Sequence, residues 1–193
     1  MARVWNRLKS DHSLMLAYQR GDMDAFESLY HRHKDALFAH LFRSCSRHAI
    51  VEEIAQETWT AVIQAAGRYR PEAKFRTWLY QIAHHRMVDF WRRPDNQHSN
   101  LENVPEEIAP QDQAEQTDGI EKQVMNALAQ LPLEQRTIVL LREQGFSYQE
   151  LSDIVGVGRE TVKSRLRYAR EQLSTQLGRV QEPGAETVLG GQP

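Results

Sequence analysis

SYQELSDIVGVGRETVKSRLRYAR, residues 147–170, is the stretch on which the reading of the whole chain turns. Ser147 with Glu150 three residues on makes a capping box, in which each side chain bonds the other residue's backbone N–H, so a helix is predicted to open there. Leu151, Ile154 and Val155 fall on one side of that short helix. Gly156 and Gly158 flank Val157, a tight turn carrying one apolar plug. A second helix follows, with Val162, Leu166, Ala169 and Leu173 on one stripe and Arg159, Lys163, Arg165, Arg167 and Arg170 as its cations. Short helix, glycine turn and longer basic helix are the parts of a helix-turn-helix, whose second helix enters a DNA major groove.

Immediately upstream, a domain is predicted to open near Asp118 or Gly119, with Ile120, Val124, Leu128 and Leu131 at helical spacing. Pro132 is expected in the first turn of the next helix, which buries Leu133, Thr137, Leu140 and Leu141 until Gly145 stops it. Downstream, residues 178–193 are rich in Gly and Pro and read as a frayed tail.

Charge supports a link to nucleic acid. The net charge of −2 conceals a segregation. Residues 94–121 hold Asp95, Glu102, Glu106, Glu107, Asp112, Glu115, Asp118 and Glu121 but no Lys or Arg, while the stretches 70–93 and 159–170 are basic. Two basic ends around an acidic middle suggest two nucleic-acid contacts and a repelled linker. At 193 residues and 40% hydrophobic content, one or two small soluble domains fit. No apolar run approaches the roughly 18 residues of a membrane span, and the N-terminus lacks a signal peptide's apolar core, so a cytoplasmic protein is expected. The lone Cys45 excludes an internal disulfide and is expected as a small buried core residue.

In the first half, Asp11 is expected to cap a helix that Gly21 closes, and Asp22 or Asp24 to start a long one with Phe26, Leu29, Tyr30, Leu37, Phe38 and Leu41 inward. His31 and His33 lie about 200° apart on that helix and cannot share a metal from one face. A third helix, about residues 49–66, turns Val51, Ile54, Ala55, Thr58 and Val62 inward. Glu53, Gln56, Glu57 and Thr60 share its other face, a spacing that suits a wet surface or a docking surface alike. The basic loop at 68–75 leads into RTWLYQIAHHRMVDFWRR, residues 76–93, which Pro94 ends. Leu79, Ile82, Ala83 and Phe90 form its expected core stripe, and Arg76, Tyr80, His84, Met87 and Trp91 an adjacent face. Cations interleaved with flat rings suit single-stranded nucleic acid, the cations for phosphates and the rings for unstacked bases. His84, His85 and Asp89 have no nucleophile, metal set or phosphate loop beside them, so the expectation is a binding protein and not an enzyme.

Four segments, DAFESLYHRH, VEEIAQETW, FRTWLYQIAHHRMVDFWRR and the run from ALAQLPLEQR through RYAREQL, together resemble bacterial sigma factors of the extracytoplasmic-function group. The resemblance implies an all-α fold in two helical domains: a region 2-like domain at 10–95, an acidic linker at 96–118, a region 4-like helix-turn-helix domain at 119–177 and a disordered tail at 178–193. It implies binding to RNA polymerase core, at the clamp helices through Glu53, Gln56 and Glu57 and at the flap. It implies that the −10 element is melted and held as single strand by Arg70, Lys74, Phe75, Arg76, Trp78, Tyr80, His84, His85 and Trp91. The −35 element would be read as duplex by Arg159, Glu160, Thr161, Lys163, Ser164, Arg167, Tyr168 and Arg170. An anti-sigma factor is the implied inhibitory partner, with no cofactor, no metal and no membrane insertion. Two residues depart from the family's pattern: His85 stands where asparagine is usual, and Glu160 where a small glycine is. The alternative is a stand-alone helix-turn-helix regulator with an N-terminal sensor or dimerisation domain.

Overall fold

The computed structural model describes residues 8–45, 47–70, 72, 74–93 and 119–178; the expected linker, the helix-ending Pro94 and the tail after Gly178 lie outside the described residues. Among the described residues every regular element is helical, as the all-α expectation requires. The first half contains α1 (Asp11–Gln19), α2 (Met23–Cys45), α3 (His48–Ala65), a 3-10 turn (Ala66–Arg68) and α4 (Phe75–Arg92). The second contains α5 (Gly119–Ala129), α6 (Leu133–Glu143), α7 (Tyr148–Val155) and α8 (Arg159–Gly178).

Local chemistry sets most boundaries. Ser10, not Asp11, caps α1 by accepting from the Ser13 N–H at 3.2 Å. Asp11 instead takes the Arg32 guanidinium on one oxygen and the His33 Nε2 (2.8 Å) on the other, both from α2. Asp22 accepts from the Ala25 N–H at 3.1 Å and so starts α2. Gly21, Gly145 and Gly156 hold the positive φ values that end α1, α6 and α7. Arg93 sits at φ −61° and ψ 133°, the extended conformation favoured before a proline. Pro132 is the N-cap of α6 and not its first helical residue.

The core corrects several inward assignments. Leu29, Leu37 and Leu41 are buried on α2, but Phe26 and Phe38 are only half covered and Tyr30 is exposed; Ala25, His33 and His40 take the interior places instead. Trp59 joins the α3 core, where its ring meets Tyr30 and Phe26. Ile120 and Val124 are exposed, and Ile138 is fully buried beside Thr137, Leu140 and Leu141. Cys45 is buried as expected.

Both halves share one buried cluster. It runs from Leu14, Leu37, Ile54 and Leu79 through Tyr80 and Met87 to Phe146, Leu151, Ile154, Val162 and Leu166. A smaller cluster of Leu128, Leu131, Leu140 and Ala169 seats α5 and α6 behind α8. The Tyr80 and Phe146 rings, 5.0 Å apart and tilted, are the seam between the halves. Covering each ring is worth about 1.5–3 kcal/mol and the ring pair about 0.5–1.5 kcal/mol more.

Candidate nucleic-acid interface

The helix-turn-helix forms as its residues dictate. Ser147 Oγ accepts from the Glu150 N–H at 3.3 Å, and Glu150 Oε2 from the Ser147 N–H at 2.9 Å, completing the capping box. Gly156 at φ 68° makes the turn, and Ser152 Oγ closes it on the Val157 carbonyl at 2.5 Å. Helix α8 is then sharply sided: Val162, Leu166 and Ala169 are buried, while Arg159, Glu160, Thr161, Lys163, Arg167, Tyr168 and Arg170 are exposed. Ser164 and Arg165 lie half covered at the flank. Lys163 Nζ pairs with Glu160 at 2.7 Å, and the Arg167 guanidinium lies 4.9 Å from the Tyr168 ring. Glu160 therefore occupies one of the cations on this face.

The α4 face differs from its expected layout. Phe75, Tyr80 and Met87 are buried, and Ile82 is only half covered. Phe75 packs into a ring cluster with His33, Tyr69 and Trp78. Tyr80 lies against His40 on one side and Phe146 on the other. A helical wheel drawn for the first half alone leaves that side open; α7 and the turn before it cover it. Arg76 Nη2 donates to the Gln144 carbonyl at 2.9 Å, and its guanidinium lies 4.1 Å from the Phe146 ring centre. Lys74 Nζ meets Glu150 Oε1 at 3.1 Å, and Thr77 Oγ1 donates to the same oxygen at 3.2 Å. Gln81 Nε2 donates to the Asp153 carbonyl at 3.1 Å.

The remaining expected −10 residues stay accessible. Arg70 is exposed and donates to the carbonyls of Gly67 and Tyr69. Trp78, His84, His85 and Trp91 line an open groove of about 1200 Å³ between α3–α4 and α6–α8, with Arg68, Arg86, Arg92 and Arg165 around it. His84 Nδ1 and Trp91 Nε1 are covered and have no hydrogen-bond partner among the described residues. Burial, with the charges of His85 and Arg165, pulls the His84 pKa down to about 4, so its ring is neutral at pH 7.

On α3, Glu53, Gln56 and Thr60 are exposed, Glu57 is half covered, and all four line one shallow concavity. Arg93 donates to Glu53 Oε1 at 3.1 Å and to Glu57 Oε1 at 3.2 Å. These bonds hold Arg93 above its already high pKa. The sequence pattern counts Arg93 only within the basic stretch 70–93 and gives Gln144 and Phe146 no role. Arg76 and Gln144 lie 68 residues apart, beyond the reach of any periodic signal.

The comparisons with known proteins agree with this geometry. The Sigma-70 region 2 family matches residues 29–97, and Sigma-70, region 4 matches residues 121–173. The ECF RNA polymerase sigma factor SigM of Mycobacterium tuberculosis is 32% identical over 175 residues, 88% of this chain and 86% of its own. The RNA polymerase sigma-H factor of Pseudomonas aeruginosa is 29% identical over 182 residues, 88% of this chain and 94% of its own. CnrH, solved in complex with the cytosolic domain of CnrY, has the same fold at a TM-score of 0.67 and 23% identity, over 89% of this chain and 99% of that one. So does RpoE from Bartonella quintana, solved with the anti-sigma factor NepR, at 0.67 and 23% over 81% and 98%. These matches do not favour the stand-alone regulator. By them the chain belongs to the extracytoplasmic-function group of the sigma-70 family, the sigma factors that bind RNA polymerase core and direct it to promoters.

Proposed function

We propose that this sigma factor divides its contacts among three helices, in a first domain at 10–95 and a second at 119–177. Helix α8 reads the −35 duplex. Lys163, Ser164, Arg167 and Tyr168 reach base edges or nearby phosphates, Arg159 and Arg170 hold the backbone, and Thr161 and Glu160 stand at the helix's leading edge. Cations on one exposed face fix register on the duplex, and the few side chains among them that reach base edges give sequence preference. Glu53, Gln56 and Glu57 on α3 dock on the clamp helices of polymerase core.

Helix α4 and its loop hold the opened −10 strand. Trp78, His85 and Trp91 offer ring faces, while Arg70, Lys74 and Arg76 offer charge. His84 offers an unpaired ring nitrogen. Phe75 and Tyr80 act from the interior, as the packed bed that sets the angle of Trp78 and Arg76. The chain supplies recognition and the polymerase supplies the chemistry, so no catalytic group, cofactor or metal is invoked. Among the described residues no helix is long and apolar enough to cross a membrane, in keeping with work in the cytoplasm beside the polymerase. Two relatives of the same fold were solved as complexes, one with an anti-sigma factor, which supports a similar inhibitory partner here.

The observation that carries the reading is the one-sided basic face of α8, built on a completed capping box and a left-handed glycine turn. In vitro transcription with purified bacterial core polymerase on genomic promoter fragments tests it. New initiation sites with the protein present are expected. Their absence, with the protein folded, would refute it.

A further inference from the structure

Helix α1 carries no residue assigned to DNA or to polymerase, yet its side chains hold the loop before α4 at both ends. We infer that Gln19, the last residue of α1, is a positioning residue for the −10 strand: it acts through the turn at Ala66–Arg68 and through Tyr69, and so sets where Arg70 and Trp78 meet the bases. The inference rests on the reading of α4 and its loop as the site of the −10 strand.

Gln19 Nε2 donates to the Ala66 carbonyl at 2.7 Å and to the Tyr69 carbonyl at 3.1 Å, across 47 and 50 residues of chain. A side-chain amide nitrogen has two donors, and here both serve one turn. Gly21, at φ 96°, ends α1 just beyond, which leaves Gln19 at the helix end against that turn. Neither carbonyl depends on Gln19 for a partner. Ala66 also accepts from the Tyr69 N–H at 3.1 Å, and Tyr69 from Arg70 Nη1 at 3.1 Å. The same Arg70 nitrogen reaches the Gly67 carbonyl at 3.3 Å. The amide is therefore an added restraint on a turn already closed, and any shift of Tyr69 moves the Arg70 guanidinium with it.

The Tyr69 ring carries that position onward. It is buried, 5.1 Å from the Trp78 ring and 6.2 Å from the Phe75 ring, with His12 of α1 at 6.1 Å. Phe75 and Trp78 lie 5.9 Å apart, so the three rings make one wall, and its half-covered member, Trp78, lines the groove. A second anchor stands at the far end of the loop. The His33 ring lies 5.4 Å from Phe75, and its Nε2 bonds Asp11 of α1 at 2.8 Å. Helix α1 thus fixes Tyr69 through Gln19 and Phe75 through Asp11 and His33, and Trp78 takes its place from both. A surface that tells bases apart needs its contact groups held to about 0.5 Å, which a loop achieves only with hydrogen bonds behind it.

Gln19→Met keeps the side chain's length and removes its donors, and Gln19→Glu does the same with the shape kept; either one, once circular dichroism shows it folded, decides. Gln19→Lys returns a donor. Holoenzymes assembled from purified core polymerase and each variant are titrated with a fluorescent single-stranded oligonucleotide carrying a −10 element mapped from initiation sites. The same titration is run with that strand substituted one base at a time. With Gln19→Met or Gln19→Glu, the affinity ratio between native and substituted strands should fall about tenfold at the base nearest Trp78. With Gln19→Lys it should stay at the parent's value, because an added charge acts on phosphates alike in every strand. Affinity for a −35 duplex and for core should not change. Parental base discrimination in the donor-less variants would overturn the inference. So would an equal drop for every strand, the mark of a domain merely loosened, or a ratio lost with Gln19→Lys as well. Trp78→Ala separates two failures. Discrimination lost with Trp78→Ala but kept without the Gln19 donors leaves the −10 site standing and removes Gln19 from it; discrimination kept in both removes the reading of α4 as well.

Discussion

Acid should weaken this fold well above the pH at which its carboxylates protonate, because one buried and one half-buried histidine must stay neutral. His40 is 4% exposed and accepts at Nδ1 from Gln144 Nε2 at 3.0 Å. Burial first, then the charges of His84, Arg43 and Arg76, pulls its pKa from 6.5 to about 3. His84 falls to about 4 for the same leading reason. In the unfolded chain both titrate near 6.5, so below that pH the unfolded state binds more protons. Stability is intact above about pH 6.5 and is lost as pH falls toward the folded-state values. At pH 5 the gap from 6.5 is about 1.5 units, and at 1.36 kcal/mol per unit each ring costs about 2 kcal/mol. The pair together costs about 4 kcal/mol, a large part of the 5–15 kcal/mol that holds a typical domain. Glu150 acts in a lower window. Partial burial pushes it up, but hydrogen bonds from Ser147 and the Lys74 ammonium bring it to about 2 from 4.5, so its loss falls below pH 4.5. Urea unfolding at pH 7 and pH 5 isolates the histidines. His40→Asn, whose Oδ1 can replace the Nδ1 acceptor, should lose about 2 kcal/mol less than the parent between those two pH values. An equal loss in variant and parent would refute the assignment of the acid sensitivity to His40.

Three further outcomes follow from the interfaces. Lys163→Ala and Arg167→Ala should each weaken −35 duplex binding by about 1–3 kcal/mol at fixed salt, whereas Glu160→Ala, by releasing Lys163, should tighten it and steepen its salt dependence. Glu53→Lys with Gln56→Ala should lower affinity for core polymerase in a binding titration while circular dichroism shows the first domain still folded, because both side chains are exposed and the Arg93 bond lost with Glu53 is a surface pair, which contributes little to stability. Ser147→Ala removes one half of the capping box and should cost about 1 kcal/mol in chemical denaturation, with loss of −35 binding only as far as α7 frays.

The second half was legible because its signals are local. Ser147 and Glu150, Gly156, and the stripe of Val162, Leu166 and Ala169 each act within a few residues, and each is found where the spacing puts it. The first-half helices were legible as elements but less so as surfaces. Tyr80 and Met87 were expected beside the core and lie in it; for Tyr80 the covering partner, Phe146, comes from the second half. Asp11 looked like a cap because the cap position is next to it; its distant partners, Arg32 and His33, decided otherwise. Periodicity reports that a face is polar, not which distant polar group will meet it. For the same reason the polar face of α3 could be drawn from spacing, whereas its Arg93 bridge could not.

The ring seam at Tyr80 and Phe146 also bears on how the molecule comes apart. Two recognition units joined only by a linker would melt independently, each with its own midpoint. Here one buried cluster runs through both, so in the free chain neither unit has a complete interior without the other. The amides of α4 and α7 should then exchange with deuterium through one shared opening, and cooperativity across the chain becomes a reading of its state.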